Sequence, residues 1–192
     1  MSAQFYSETN LPTEFGTLVL RVYRDDEHNE PLALISGPIN RSKPINLRIH
    51  SACLTSEVLG SCKCDCKHQL DTSLKFISSN SGVVIYLQQE GRGMGLGDKV
   101  RAYALQEYGY DTIESNEMLG FPADMRTYDH AIDILNDLHI DSVRLLTNNP
   151  EKIQALNEAN ISVVERISIL SPINPHSKHY LDTKRTKMGH FL

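Results

Sequence analysis

The four cysteines of this 192-residue chain, Cys53, Cys62, Cys64 and Cys66, all fall in one short segment that follows Arg48 and His50. Thiolates at these spacings can converge on a single soft or borderline cation such as Zn²⁺, which favours sulfur in tetrahedral geometry. Three thiolates with an open position make a catalytic centre and four make a closed structural one, and spacing by itself does not choose among the candidates. If 62–66 runs extended, Cys62, Cys64 and Cys66 project to one side, because side-chain direction alternates along a strand. The competing reading is a group of buried cysteines that act as small hydrophobes.

Three further segments carry chemistry. The loop over 90–97 has glycine at 91, 93, 95 and 97 with Arg92 inside it, at a strand-to-helix junction where backbone amides can surround an anion. It matches neither the Walker A pattern nor the dinucleotide fingerprint, so an ordinary tight turn competes with a binding role. ThrAsnAsnProGluLys (147–152) sets Asn149 at an N-cap and Pro150 at the first helical position, so that Thr147 and Lys152 could hold a phosphate at the positive end of the helix. Asp124 and Arg126 lie in the short apolar loop GlyPheProAlaAspMetArg, as a reactive pair or as a solvated one. Among the eight histidines no pair brackets a glutamate at zincin spacing, and His50 is kept as a neighbour of the site.

These groups need a scaffold, and the pattern of the chain supplies one. Strand-like runs at 16–24, 32–36 and 45–50 open the chain as a β-rich section. From Asp65 onward Leu70, Leu74 and Ile77 recur at helical spacing before the apolar run ValValIleTyrLeu at 83–87. A helix follows the glycine loop to about Tyr108, with Val100, Tyr103, Ala104 and Leu105 expected on its core face. Helices at 127–138 and 150–159 alternate with strands at 142–147 and 161–166. The alternation predicts an α/β fold, three-layer αβα with a mixed, largely parallel sheet, preceded by the β-rich N-terminal section and forming one domain over 1–192.

Composition narrows the class of function. A net charge of −5 argues against a general nucleic-acid surface, yet Arg41, Lys43, Arg48, Lys63 and Lys67 outnumber Glu57 and Asp65 around the cysteines, which suits a small anionic ligand. The first residues lack the basic start and apolar run of a secretory signal, and no apolar stretch approaches membrane-spanning length. The expectation is a cytoplasmic protein with reduced thiols, without a membrane partner, in which a metal site is favoured over disulfides.

Taken together, ArgIleHisSerAlaCysLeuThr (48–55), CysAspCys (64–66), GlnGluGlyArgGlyMetGlyLeu (89–96), LysValArgAlaTyrAlaLeuGln (99–106), GlyTyrAspThr (109–112), LeuGlyPheProAlaAspMetArg (119–126) and LeuLeuThrAsnAsnProGluLys (145–152) resemble GTP cyclohydrolase II, which opens riboflavin biosynthesis. TyrLeuAspThrLys (180–184) and MetGlyHis (188–190) extend the likeness towards the C-terminus. The resemblance implies a homodimeric enzyme with one zinc ion per subunit and Mg²⁺ on the nucleotide phosphates. Its substrates would be GTP and water, and its products formate, pyrophosphate and 2,5-diamino-6-ribosylamino-4(3H)-pyrimidinone 5′-phosphate. It carries the zinc ligands onto Cys53, Cys64 and Cys66 and leaves Cys62 as a bystander. The nucleotide contacts fall on Arg48, Ile49, His50, Ser51, Ala52, Gln69, Glu90, Gly91, Arg92, Thr112, Thr147 and Lys152. A thiolate-bound zinc lowers the pKa of its water to about 7, giving a nucleophile for C8 of guanine, and Tyr103 is similar to the tyrosine beside the base. Asp124 takes the family's role of proton acceptor and Arg126 that of nucleophile at phosphorus. A guanidinium whose pKa lies above about 12 suits charge stabilisation better.

Two departures stand beside these matches. Ala52 replaces a common glutamate, and CysAspCysLysHisGln replaces a common CysAspCysGly pattern. They admit a paralogue acting on another purine nucleotide or in another pathway. The extra thiol of Cys62 admits a non-catalytic nucleotide-binding module built on a structural zinc.

Overall fold

Residues whose apolar side chains alternate become strands, and their two faces are covered by different helices. The computed structural model describes residues 2–172 together with Ser177, Asp182, Thr183, Arg185, Thr186, Gly189 and Phe191. Most of the C-terminal family-like segments, including Tyr180, Lys184, Met188 and His190, lies outside the described residues. Seven strands form one sheet: β1 (Gln4–Thr13), β2 (Gly16–Arg24), β3 (Leu32–Ser36), β4 (Ile45–Ser51), β5 (Gly82–Leu87), β6 (Ser142–Leu146) and β7 (Ser162–Ile167). Their spatial order is β1-β2-β3-β5-β4-β6-β7. The early strands and β5 pair antiparallel, whereas β4, β6 and β7 pair parallel, so the sheet is mixed as expected of this α/β chain.

The helices are α1 (Leu54–Glu57), α2 (Cys66–Asn80), α3 (Gly95–Glu107), α4 (Thr112–Met118), α5 (Asp129–Asp137) and α6 (Pro150–Glu158), with a 3-10 turn at Glu90–Gly93. The chain divides into two compact units, Met1–His50 with Leu70–Gln88 and Tyr128–Ile169, and Ser51–Gln69 with Gln89–Thr127 and Leu170–Leu192.

The first unit holds the sheet. On one face Leu47, Ile49, Val83, Ile85 and Leu145 pack with Ile134 and Leu135 of α5 and Leu156 of α6. On the other, Val84 and Leu18 pack with Leu74 and Ile77 of α2. Adjacent residues of β5 thus face opposite layers, which gives the sheet a helix layer on each side. The central strand β4 is buried along nearly its whole length, and the same alternation turns Asn46, Arg48 and His50 away from the face that carries Ile45, Leu47 and Ile49.

β1 has no counterpart among the sequence expectations. Its side chains are almost all exposed and it contains Pro12, so it shows no buried period and is held as an edge strand by its ladder to β2. The second unit holds α1, α3, α4 and the loops between them. There α3 is rotated from the expected face: Lys99 and Ala102 are buried, whereas Val100 is 52% exposed and Ala104 also faces out. Apolar spacing misplaced that face because a lysine occupies its centre.

Candidate active site

Three of the four thiols are brought together by the start of two helices. Cys53 caps α1, Cys66 is the first residue of α2, and Cys64 lies in the irregular stretch between them. Their sulfurs all lie within 4.8 Å of one another, with Cys53 and Cys64 at 3.6 Å, and they form a group able to hold a metal ion. Cys62 stands apart, exposed and with its thiol directed at the Gly60 carbonyl at 3.8 Å. The extended run that would have aligned Cys62 with Cys64 and Cys66 does not form, because 61–65 bends instead of lying in a strand. A shell of four thiolates is therefore not assembled here.

The electrostatics suit a cation. The Cys53 thiol is held far below its ordinary range by hydrogen bonds from Cys64 and Cys66 and by the Lys99 ammonium, against the opposing effect of burial. The Cys64 thiol is pushed up because it faces that same Cys53 sulfur. One thiolate is already favoured without metal, and a divalent ion would draw the others into the anionic form they need as ligands.

Lys99 was absent from the sequence candidates. Its Nζ donates to Cys53 Sγ at 3.1 Å, Thr55 Oγ1 at 2.8 Å and Glu90 Oε1 at 2.7 Å. Burial works to lower its pKa, but the bond to Glu90 and the neighbouring Tyr103 and Cys53 raise it above the ordinary lysine value. Tyr103, one helical turn on, lies 5.6 Å from Nζ of Lys99 and 4.9 Å from that of Lys63. A lysine four residues before Tyr103 on the same helix was the available signal.

The glycine turn is tied to the thiol cluster through Glu90, whose Oε2 accepts from the Leu54 amide at 2.6 Å and Oε1 from the Gly91 amide at 2.9 Å. Gly91 has φ +60°, and a Cβ there would meet the Lys99 Cβ at 3.0 Å, so only glycine fits both the conformation and the approach of α3. Arg92 is held at φ 59° without being glycine. It is fixed by the Met125 amide donating to its carbonyl at 3.1 Å and by its Nη1 donating to the Ala123 carbonyl at 3.3 Å. Such a conformation costs about 1–3 kcal/mol and persists where the surroundings over-determine it, which is common at functional sites.

Those same bonds place the Asp124 loop beside the turn. Arg126 donates from Nε to Oδ1 of Asp124 at 2.9 Å, from its backbone amide to Oδ1 at 3.0 Å, and from Nη2 to Oδ2. Burial opposes ionisation of Asp124, but Arg126, with Arg92 behind it, holds the carboxyl below the usual range. Of the remaining candidates in this unit, Gln69 donates to Asp65 at 2.6 Å and Thr112 begins α4 behind the Asp111 capping box. Ser51 and Ala52 are half-buried.

Within the sheet unit, Arg48 donates to the Leu146 carbonyl at 3.1 Å and lies 3.5 Å from His50, which stacks on Tyr86. Lys152 donates to the Ile49 carbonyl at 2.8 Å, and the Ile49 side chain is core. Thr147 Oγ1 accepts from the Asn149 amide at 3.0 Å, and Asn149 in turn caps α6 by accepting from Glu151 at 2.9 Å, as the sequence predicts. Of the basic residues singled out in the sequence, Arg41, Lys43 and Arg48 belong to this unit and Lys63 and Lys67 to the other.

Comparison with known proteins adds an independent line. A family profile described as GTP cyclohydrolase II matches residues 4–168. The chain is 45% identical over 190 residues to a protein of Picrophilus torridus named GTP cyclohydrolase-2, covering 98% of this chain and 99% of that one. It is 49% identical to the riboflavin biosynthesis protein RibBA of Bacillus cytotoxicus, covering 96% of this chain and 47% of that one, so it spans about half the length of that relative. A crystal structure of RibBX, a two-domain 3,4-dihydroxy-2-butanone 4-phosphate synthase from A. baumannii, aligns with 88% of this chain and 40% of that one at 18% identity and a TM-score of 0.49. The profile match over residues 4–168 and the 45% identity over nearly the whole chain show that the chain belongs to the GTP cyclohydrolase II family.

Proposed function

We propose that this chain hydrolyses GTP as a zinc-dependent cyclohydrolase, releasing formate and pyrophosphate in the first step of riboflavin biosynthesis, and that residues 1–192 work as one domain for this purpose. The observation that carries the reading is the convergence of Cys53, Cys64 and Cys66 within 4.8 Å, in a chain related over its length to a named GTP cyclohydrolase-2.

Three clustered thiols, one of them already biased to thiolate, fit zinc, which takes sulfur readily in tetrahedral sites. Cys53, Cys64 and Cys66 would hold the zinc, which when bound would supply water with a pKa lowered to about 7 as the reagent for attack on guanine C8. Tyr103 hydrogen-bonds the base or moves a proton as the ring opens. Release of pyrophosphate is separate chemistry at the α-phosphorus. We assign Arg126 to stabilise charge on the phosphoryl group, because the guanidinium clamped by Asp124 stays protonated and its donors are pre-oriented. Asp124 is ionised and keeps that guanidinium in place, and the role of proton acceptor is assigned to it from the family resemblance alone. Mg²⁺ bound with the nucleotide would offset charge on the phosphates. Arg48, Ile49, His50, Ser51, Ala52, Gln69, Glu90, Gly91, Arg92, Thr112, Thr147 and Lys152 are assigned to nucleotide binding, Glu90 also as a brace of the thiol cluster. The working form is a cytoplasmic homodimer; no described helix is long and apolar enough to cross a membrane.

Incubation with GTP and Mg²⁺ releases formate and pyrophosphate in equal amounts, with the ring-opened product identified by mass. Neither product appearing from metal-replete protein refutes the assignment. A different ring-opened nucleotide instead identifies a paralogue, the reading that Ala52 and the CysAspCysLysHisGln segment favour.

A further inference from the structure

We propose that Lys99 is a positioning residue of the metal centre, fixing the Cys53 sulfur against the other two thiols and offsetting the negative charge of the three-thiolate set. The inference rests on the metal reading above and goes beyond it, since Lys99 is not among the residues assigned to metal or substrate.

An ammonium group has three protons and no acceptor. All three of Lys99 are accounted for by Cys53 Sγ, Thr55 Oγ1 and Glu90 Oε1, at 3.1, 2.8 and 2.7 Å. With the residue only 8% exposed, no donor is left over for a substrate. The tripod is itself braced: Glu90 holds the amide of Leu54, the residue after Cys53, and the amide of Gly91. The approach of α3 is so close at Gly91 that a Cβ would meet the Lys99 Cβ at 3.0 Å. Three thiolates and a divalent ion carry a net charge of −1, which a fixed cation at hydrogen-bond distance from one sulfur compensates. Partners of metal ligands in this position orient the ligand and tune the metal, and their loss typically costs about 10- to 100-fold in affinity or activity.

The test uses the full chain loaded with Zn²⁺ or Co²⁺. Lys99→Met weakens zinc in chelator competition by about 10- to 100-fold. It also shifts the thiolate-to-cobalt charge-transfer bands and lowers kcat, while KM for GTP stays within about twofold of the parent. Unchanged zinc affinity and cobalt spectrum in folded Lys99→Met overturn the proposal, as does a raised KM with unaltered kcat, which makes Lys99 a substrate contact. If Lys99→Met does not fold, Lys99→Arg and Thr55→Val decide, because the planar fork of arginine cannot form the tripod and valine removes one of its feet. Weakened zinc binding in both supports the assignment, and parental affinity and spectrum in both overturn it. A parent chain that binds no zinc or opens no GTP fails at the proposed function itself, so the two failures are distinct.

Discussion

Asp124→Asn is the sharpest test of how the Asp124 loop is built. The side chains of Asp124 and Arg126 are only 11% and 13% exposed, so the pair is screened far less than a surface ion pair. Asparagine keeps one acceptor for the Arg126 backbone amide and Nε but presents an amide donor, or an uncharged oxygen, to Nη2 where a carboxylate oxygen now sits. The guanidinium is left buried without its counter-charge, a change that costs about 3–5 kcal/mol in fully buried pairs and which we place at about 3 kcal/mol here. For a chain of this size that lowers Tm by about 6–12 °C. Thermal melts of the parent and Asp124→Asn, with Arg126→Met and the double variant completing a cycle, give the coupling. The dependence on pH has a definite sign. A carboxyl held low in the folded protein contributes stability above its unfolded value of about 3.9, and that contribution is lost as pH falls through the folded value. Asp124→Asn is therefore most damaging near neutrality, and its cost shrinks in acid. A Tm within about 2 °C of the parent at neutral pH, or a cost that does not shrink in acid, refutes this account.

Metal content separates the cysteines: Cys53→Ser loses zinc by elemental analysis, whereas Cys62→Ser keeps it, because only the first belongs to the cluster. Tyr23 is buried and donates to Asp137 at 2.7 Å, and burial followed by that bond pushes its pKa up. Its contribution is therefore present below about pH 10 and lost above it; Tyr23→Phe costs about 1 kcal/mol near neutrality and flattens the alkaline fall in the urea midpoint. Ile134 is fully buried between the sheet and α5, so Ile134→Ala lowers stability by about 2–5 kcal/mol in urea unfolding.

Much of the fold was legible because its strands and helices bury a regular stripe. β2, β3, β4 and β5 were readable from alternation or from apolar runs, and α6 from Asn149 and Pro150 at its start. β1 and α4 were not, since one exposes nearly all its side chains and the other is a short helix announced mainly by the Asp111 and Glu114 box. The face of α3 was misread because its buried position is a lysine whose partners, Cys53, Thr55 and Glu90, come from distant parts of the chain.

Residue types and their local order were enough to suggest the family and to pick out the candidate thiols, the Asp124 and Arg126 pair and the alternation that makes an α/β sheet, because each is carried by neighbours a few positions away. Spacing left open which thiols converge and the family resemblance pointed to Cys53, Cys64 and Cys66, but that these three sulfurs meet, that Cys62 turns outward and that Lys99 directs its protons to Cys53, Thr55 and Glu90 are visible only in the tertiary structure. Those outcomes turn on bends in the backbone at 61–65 and on contacts between residues as far apart as 53 and 99, where distance in space is independent of distance along the chain.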